Sequence, residues 1–315
     1  MGLIESAGIP GMLSLWADPL HDGPVPDGLT DDELLEVRAR ILRGPAGRAE
    51  ADPLNDLRSW RAAIERHESY DEAVLWFEHD LFDQLNLVQV LTWIRERLPP
   101  AKLVSLVCVG SFPGRPRFKG LGELSAGELA PLFETRQPVS EGQYSLARRA
   151  WLAFREPTPE PLDDLRRAGT SALPYLAAAL ERFLQEYPWT RDGLSRTERR
   201  LLEQANAGTV ELRAAFPRMH DGESAYYITD TSLAELAASL ARTSPPLLAL
   251  APPGMPDAGT LEGSVTLTDF GRAVMAGEED RIACCGIDRW LGGVHLHGNS
   301  VRWRWDGSRQ AIARS

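Results

Sequence analysis

Five apolar residues, Ala73-Val74-Leu75-Trp76-Phe77, run straight into Glu78-His79-Asp80, and an apolar helical pattern follows at once. A continuous apolar run of this length reads as a strand buried on both faces. Leu81, Leu85, Val88, Leu91 and Leu98, with Trp93 and Ile94, then fall mostly at helical spacing through Arg97. A strand passing into a helix through a short polar turn is half of a βαβ unit. Ligands of such units sit beyond the carboxyl ends of the strands, where Glu78, His79 and Asp80 fall. The stretch locates a site without naming a reaction.

The rest of the first half repeats this plan. Residues 3–8 read as the tail of a helix ended by Gly8 and Pro10, and residues 12–16 as a short apolar strand. A Pro/Gly/Asp loop over 17–28 follows. Thr30 and Glu33 form a capping box for a helix carrying Leu34, Val37 and Ile41. Residues 44–52 read as a turn and 53–68 as a second helix. Leu103–Val109 is another fully buried strand. Strands alternating with helices predict a small, mainly parallel Rossmann-like sheet in which 12–16, 73–77 and 103–109 lie together. That domain covers residues 1–124. Helical patterns over 125–133, 140–154, 161–168 and 172–187 make residues 125–189 a helical extension, with Ser125 and Glu128 marking one start.

Residues 190–315 read differently. Ser195 and Glu198 cap a helix, 210–219 and 231–242 are two more, and 245–250 with 264–268 can form a hairpin before a last helix at 270–276. Three helices and a hairpin make a winged-helix-like α+β plan. The tail shows hairpin alternation around Gly298-Asn299, with Trp290, Trp303 and Trp305 expected as its core. The helix over 231–242 offers Arg242 against Asp230 and Glu235, whereas a major-groove reader needs Arg, Lys, Asn or Gln. A protein-docking role therefore fits this domain better than DNA binding.

Charge supports that. The net charge is −11. Residues 1–189 hold 20 basic against 29 acidic side chains, and residues 190–315 hold 14 against 16. Neither part has the basic excess of a non-specific nucleic-acid or membrane surface. No apolar run approaches the roughly 18 residues that cross a bilayer, and the N-terminal stretch has no basic region of a signal peptide. Three cysteines, Cys108, Cys284 and Cys285, cannot build a disulfide framework and are expected to be reduced thiols in a cytoplasmic protein.

Several long motifs resemble an uncharacterised bacterial family, catalogued as domain of unknown function 1835. They are Ile9-Pro10-Gly11, His21-Asp22-Gly23-Pro24, the run from Trp76 through Leu85, Phe112-Pro113-Gly114, Gly120-Leu121-Gly122 and the run from Gly286 through Gly293. The resemblance covers nearly the whole chain and brings no established activity. Members usually begin with a strand and a Gly-Asp-Ser turn. The resemblance therefore implies that this chain is short by one strand and one loop.

The densest titratable cluster is Glu78, His79, Asp80 and Asp83. Carboxylates there can simply cap the next helix and complement its dipole. They can also make an acid/base set with His79 as base and Glu78 or Asp80 orienting it. A metal site is a third use, and one ion would then need Asp83 or His21 as well. His21 leaves the neighbouring strand in a turn and is expected at the same sheet edge, which makes it the fourth catalytic candidate. Asp22, Asp83, Gln84, Arg115 and Arg117 are the ligand-binding candidates, the two arginines because guanidinium binds phosphate or carboxylate bidentately. No cofactor is identified. The P-loop, dinucleotide, nucleophile-elbow and His-Glu-x-x-His patterns are absent from the sequence. His295 and His297 place two imidazoles on one face of a strand, with no third metal ligand evident nearby. The expectation is thus a small, anionic-ligand-binding α/β domain, hydrolytic or transferring, joined to a docking or regulatory module. A transcription-associated protein and a non-catalytic scaffold are the alternatives.

Overall fold

A computed structural model describes residues 2–43 and 52–315, so the turn expected over 44–52 lies outside the described residues except for Asp52. The protein is mixed α/β with small sheets. Contacts divide it into two compact units, one of residues 1–180 with 290–294, the other of residues 181–289 with 295–315. The division thus falls after residue 180, where residues 125–189 are expected from the sequence to form one helical extension.

The first unit runs α1 (Gly2–Ser6), β1 (Gly23–Pro24), α2 (Asp31–Arg43), α3 (Pro53–Glu65), β2 (Glu72–Glu78), α4 (Leu81–Arg97) and β3 (Leu103–Val109). It continues through α5 (Ala126–Leu129), β4 (Gln137–Pro138), α6 (Glu141–Arg155), α7 (Glu160–Ala168) and the start of α8 (Leu176–Leu184). Helix starts follow the local chemistry. Thr30 and Glu33 exchange side-chain and backbone bonds ahead of α2. Ser125 with Glu128 and Ser140 with Gln143 close full capping boxes.

β2 and β3 pair in parallel from Glu72–Leu103 to Glu78–Val109. The third strand, β4, joins β3 antiparallel, so the sheet is mixed rather than mainly parallel. β3 is its centre. β2 is an edge strand and mostly half-buried, which corrects the expectation of a strand buried on both faces. Residues 12–16 form no strand. Met12 and Leu15 are 77% and 48% exposed, Leu13 and Trp16 are half-buried, and Trp16 packs among Trp60 and Trp93. Its indole N–H donates to Gln89 Oε1 at 3.0 Å. A short apolar run predicts burial poorly when most of it finds no surface to cover. α4 packs on β2 and α6, and Gln84 through Ile94 are all buried.

The loop after residue 17 is held by a buried arginine. Arg38 on α2 pairs with Asp18 at 2.7 Å and donates to the carbonyls of Asp22 at 2.7 Å and Pro19 at 3.0 Å. Both side chains are buried, and extra hydrogen bonds are what make such a pair tolerable. β1 then pairs in parallel with Leu291 and Gly292. Those residues approach the end of α6 so closely that a Cβ on Gly292 would stand 2.4 Å from the Phe154 carbonyl oxygen. One on Gly293 would stand 1.8 Å from that of Arg155.

The second unit runs α9 (Arg196–Ala205), β5 (Val210–Glu211), α10 (Leu212–Met219), α11 (Asp230–Arg242), β6 (Leu248–Ala251), β7 (Ser264–Leu267), α12 (Asp269–Ala276) and α13 (Arg281–Cys285). β8 (Ile287–Gly292), β9 (Val294–Gly298), β10 (Trp303–Asp306) and β11 (Ala311–Arg314) end the chain. β7 is the centre of an antiparallel sheet with β5 and β6. The segment expected as one helix over 210–219 therefore starts as a strand, because Val210 and Glu211 pair with Val265 and Ser264. Leu201, Leu212, Leu233, Leu240, Val265 and Val274 close the core of these elements. The tail makes two hairpins rather than one turning at Gly298-Asn299. β8 turns into β9 at Gly293, and β10 pairs with β11, burying Trp303 and Trp305.

A buried ion network also lies in this unit. Arg182 meets Glu186 at 2.6 Å and Glu223 at 3.2 Å and donates to Thr197 Oγ1 at 2.7 Å. Thr197 donates to Glu186, and Arg289 reaches the same carboxylate at 3.1 Å.

Candidate functional site

β2 ends at Glu78 and α4 begins at Leu81, so Glu78, His79 and Asp80 form the turn between them. Each side chain of this turn has a local task. Asp80 caps α4, its carboxylate accepting the Asp83 N–H at 2.9 Å. Asp83 reaches back and accepts the backbone N–H of Glu78. Gln84 Nε2 donates to the Glu78 carbonyl at 2.6 Å and lies 3.5 Å from Cys108 Sγ on β3. The Glu78 carboxylate accepts the Leu121 N–H at 2.6 Å. A Cβ on Gly120 would stand 2.0 Å from Glu78 Oε2, so glycine is what lets the 118–121 loop close over the strand end.

Asp80 is the carboxyl that both histidines influence: His21 and His79 each act on it electrostatically, drawing it downward. His79 is buried, with Phe118 stacked at a ring distance of 6.4 Å and Tyr175 edge-on at 6.1 Å. Gly110 keeps room for Tyr175, whose ring a Cβ there would meet at 2.4 Å. His21 stands edge-on to Phe82 at 6.2 Å, and its Nε2 is 3.5 Å from Asp22 Oδ2. His21 thus touches the first turn of the helix at Phe82, and its charge acts on Asp80.

Burial dominates the protonation of the cluster. It pushes Asp83 up to about 8, with the charges of Asp80 and Glu78 adding to the effect and the Glu78 N–H opposing it. Asp80 is raised by burial against the pull of the Asp83 N–H, His21 and His79. Glu78 is raised by burial and by Asp80 and Glu123, against the Leu121 N–H. Three carboxyls this close do not all ionise near neutral pH. Burial also lifts the Cys108 thiol to about 11, so it stays protonated and is a poor nucleophile.

The arginines fit less well. Arg115 is held by Glu128, one nitrogen 3.0 Å from both carboxylate oxygens, and Arg117 lies on the exposed surface. Arg115 thus serves the start of α5, not the turn. Two concavities lie away from the cluster. One is lined by Lys102, Val104, Val139 and Tyr144 at the opposite end of β3, the other by Ala238, Leu248, Leu250 and Thr268 in the second unit.

Two residues escaped the sequence reading. Arg38 falls four residues after Leu34 on an apolar helix face, and a charge in that stripe was the available signal of a buried pair. Asp288 is the other. Its carboxylate lies among the imidazoles of His295 and His297, and the donor atoms of the three fall within 4.8 Å of one another. Among the described residues, this is the group whose geometry could hold a metal ion. Also among the described residues, no helix is long and apolar enough to cross a membrane. Comparison with protein-family models, with curated proteins and with solved structures returns no match.

Proposed function

We propose that the first unit is a Rossmann-like domain that binds a small ligand at the carboxyl end of β2 and transfers protons there. One observation carries this reading: Asp83 accepts the Glu78 N–H, donates its own N–H to Asp80 in the same turn and has its carboxyl pushed up to about 8, while the charges of His21 and His79 act on Asp80. Neighbouring titratable groups whose protons are pushed apart are the usual means of supplying an acid and a base together. His79 is the base and Asp80 orients it, because Glu78 is committed to the Leu121 N–H. Asp83 is the protonated partner. An anionic group on the ligand would be met by Arg117, since Arg115 is engaged by Glu128. The chemistry proposed for this set is hydrolysis or group transfer, in a cytoplasmic protein.

The test is a thermal-shift screen of the full chain against small phosphates, carboxylates and sugars. At least one class should stabilise the wild type, and His79→Asn and Asp83→Asn should each weaken that shift while remaining folded. A wild type indifferent to every class, or variants that respond like it, would sink the reading.

For the second unit we infer a winged-helix-like docking module. The order α9, β5, α10, α11, β6, β7 supports this, as does the outward side of α11, where Asp230 and Glu235 face solvent with Arg242. The full chain titrated with random duplex at low salt should bind weakly. Submicromolar binding that collapses as salt rises would favour a DNA-contacting protein instead.

A further inference from the structure

We propose that Asp288, His295 and His297 form a surface site for a divalent transition-metal ion of the zinc class. The placement comes from the strand period. In β9, Val294 and Leu296 are buried, so His295 and His297 project together to the solvent side. Asp288 on β8 faces them. His295 Nε2 lies 2.7 Å from Asp288 Oδ1, and His297 Nδ1 lies 3.8 Å from Oδ2. The two rings stand 5.6 Å apart at 41°, open enough to aim both nitrogens at one point.

The distances suit an ion of this size. A tetrahedral centre with bonds of about 2.0–2.1 Å separates its donors by roughly 3.3–3.4 Å. One pair in the apo site is a little closer than that and the other a little wider. Side-chain adjustments of well under an ångström reconcile them, and exposed imidazoles make such adjustments readily. The ion replaces the proton that His295 and Asp288 share in their hydrogen bond, and that proton leaves to solvent. Two imidazoles and a carboxylate favour zinc, cobalt, nickel or copper over calcium and magnesium, which take oxygen donors. Three protein ligands leave at least one position for water or an added anion. The bound ion would also tie β8 to β9 on either side of the Gly293 turn.

The full-length protein, freed of metal by chelation, is titrated with zinc chloride by calorimetry and with cobalt(II) by visible absorption. One ion per chain should bind, with the cobalt bands of a low-coordinate N/O site, and calcium should not compete. His295→Ala and His297→Ala should each weaken zinc binding by about tenfold or more. Asp288→Asn should weaken it too, and His67→Ala should leave it unchanged. These side chains are exposed, so the variants should melt with the metal-free wild type, and zinc should raise the melting temperature only where all three ligands remain. Wild-type affinity equal to that of the histidine variants, or cobalt bands that survive both substitutions, would overturn the assignment.

Discussion

Asp83 in the first unit is half-buried and Glu186 in the second is buried, and their protons are driven in opposite directions. Burial pushes each upward. Around Asp83 the next charges are Asp80 and Glu78, and the carboxyl rises to about 8. Around Glu186 they are Arg182 and Arg289, with Thr197 donating as well, and the carboxyl falls to about 2. Depth alone therefore decides nothing; the sign of the neighbouring charge does. The second unit neutralises what it buries, which is what a structural network requires. The first unit gathers like charges at a strand end and keeps a proton among them. That costs stability, and residues that cost stability are where a function is best sought.

The harshest way to break the contrast is to remove the counter-charge from the second unit. Arg182→Met removes the partner that Glu186 and Glu223 share, leaving Arg289 on the one and Arg196 and Arg200 on the other, and a loss of about 3 kcal/mol is expected in denaturant unfolding. A loss within experimental error would mean that the network contributes nothing.

The pH response sharpens the same contrast. Asp83 is raised above its unfolded value, so its contribution is intact below the unfolded pKa near 3.8 and is lost as pH rises through about 8. Glu186 is depressed, so its contribution is present above 4.5 and is lost as pH falls towards about 2. Asp83→Asn should therefore match the wild type near pH 4 and be the more stable of the two near pH 9, the difference growing as pH rises from about 4 towards 8. The amide oxygen can still accept the Glu78 N–H. Equal stabilities at both ends of the range would show that Asp83 is ionised throughout.

Gly120→Ala tests the loop that closes the turn. The new methyl must displace the Glu78 carboxylate and break its bond to Leu121, at a cost of about 2 kcal/mol. In a Glu78→Ala background the same substitution should be nearly neutral, and a penalty unchanged there would place the clash elsewhere. The smallest effect belongs to Thr197→Val, which removes one hydroxyl from an otherwise paired network. About 1 kcal/mol should be lost, with Glu186 titrating slightly higher in a carboxyl NMR experiment.

Much of this frame was readable in the residues. The run from Ala73 to Leu85 marked β2, its turn and α4, because an apolar block and a helical repeat are both local signals. The serine and threonine caps were readable for the same reason. What was hidden depends on residues distant in sequence. Residues 12–16 looked like a strand, yet among the described residues no strand pairs with them. The pairing of Gly23 and Pro24 with Leu291 and Gly292 leaves no trace in either segment beyond the glycines. His295 and His297 advertised half of a metal site, but Asp288 lies across a turn whose position was misjudged. Arg115 carried the right charge, and only its proximity to Glu128 shows that this charge is already matched.

The return of residues 290–294 to the first unit has a consequence for the order in which the protein is made. A chain grows from its N-terminus, and domains commonly fold as they emerge. Here β1 waits for a partner that the ribosome supplies only after nearly all of the second unit. The first unit cannot close early, and its last pairing is a contact of very long sequence separation, the slowest kind to form. A nascent chain stalled after residue 180 should be protected from protease over β2, α4 and β3, yet remain open around Gly23 until release.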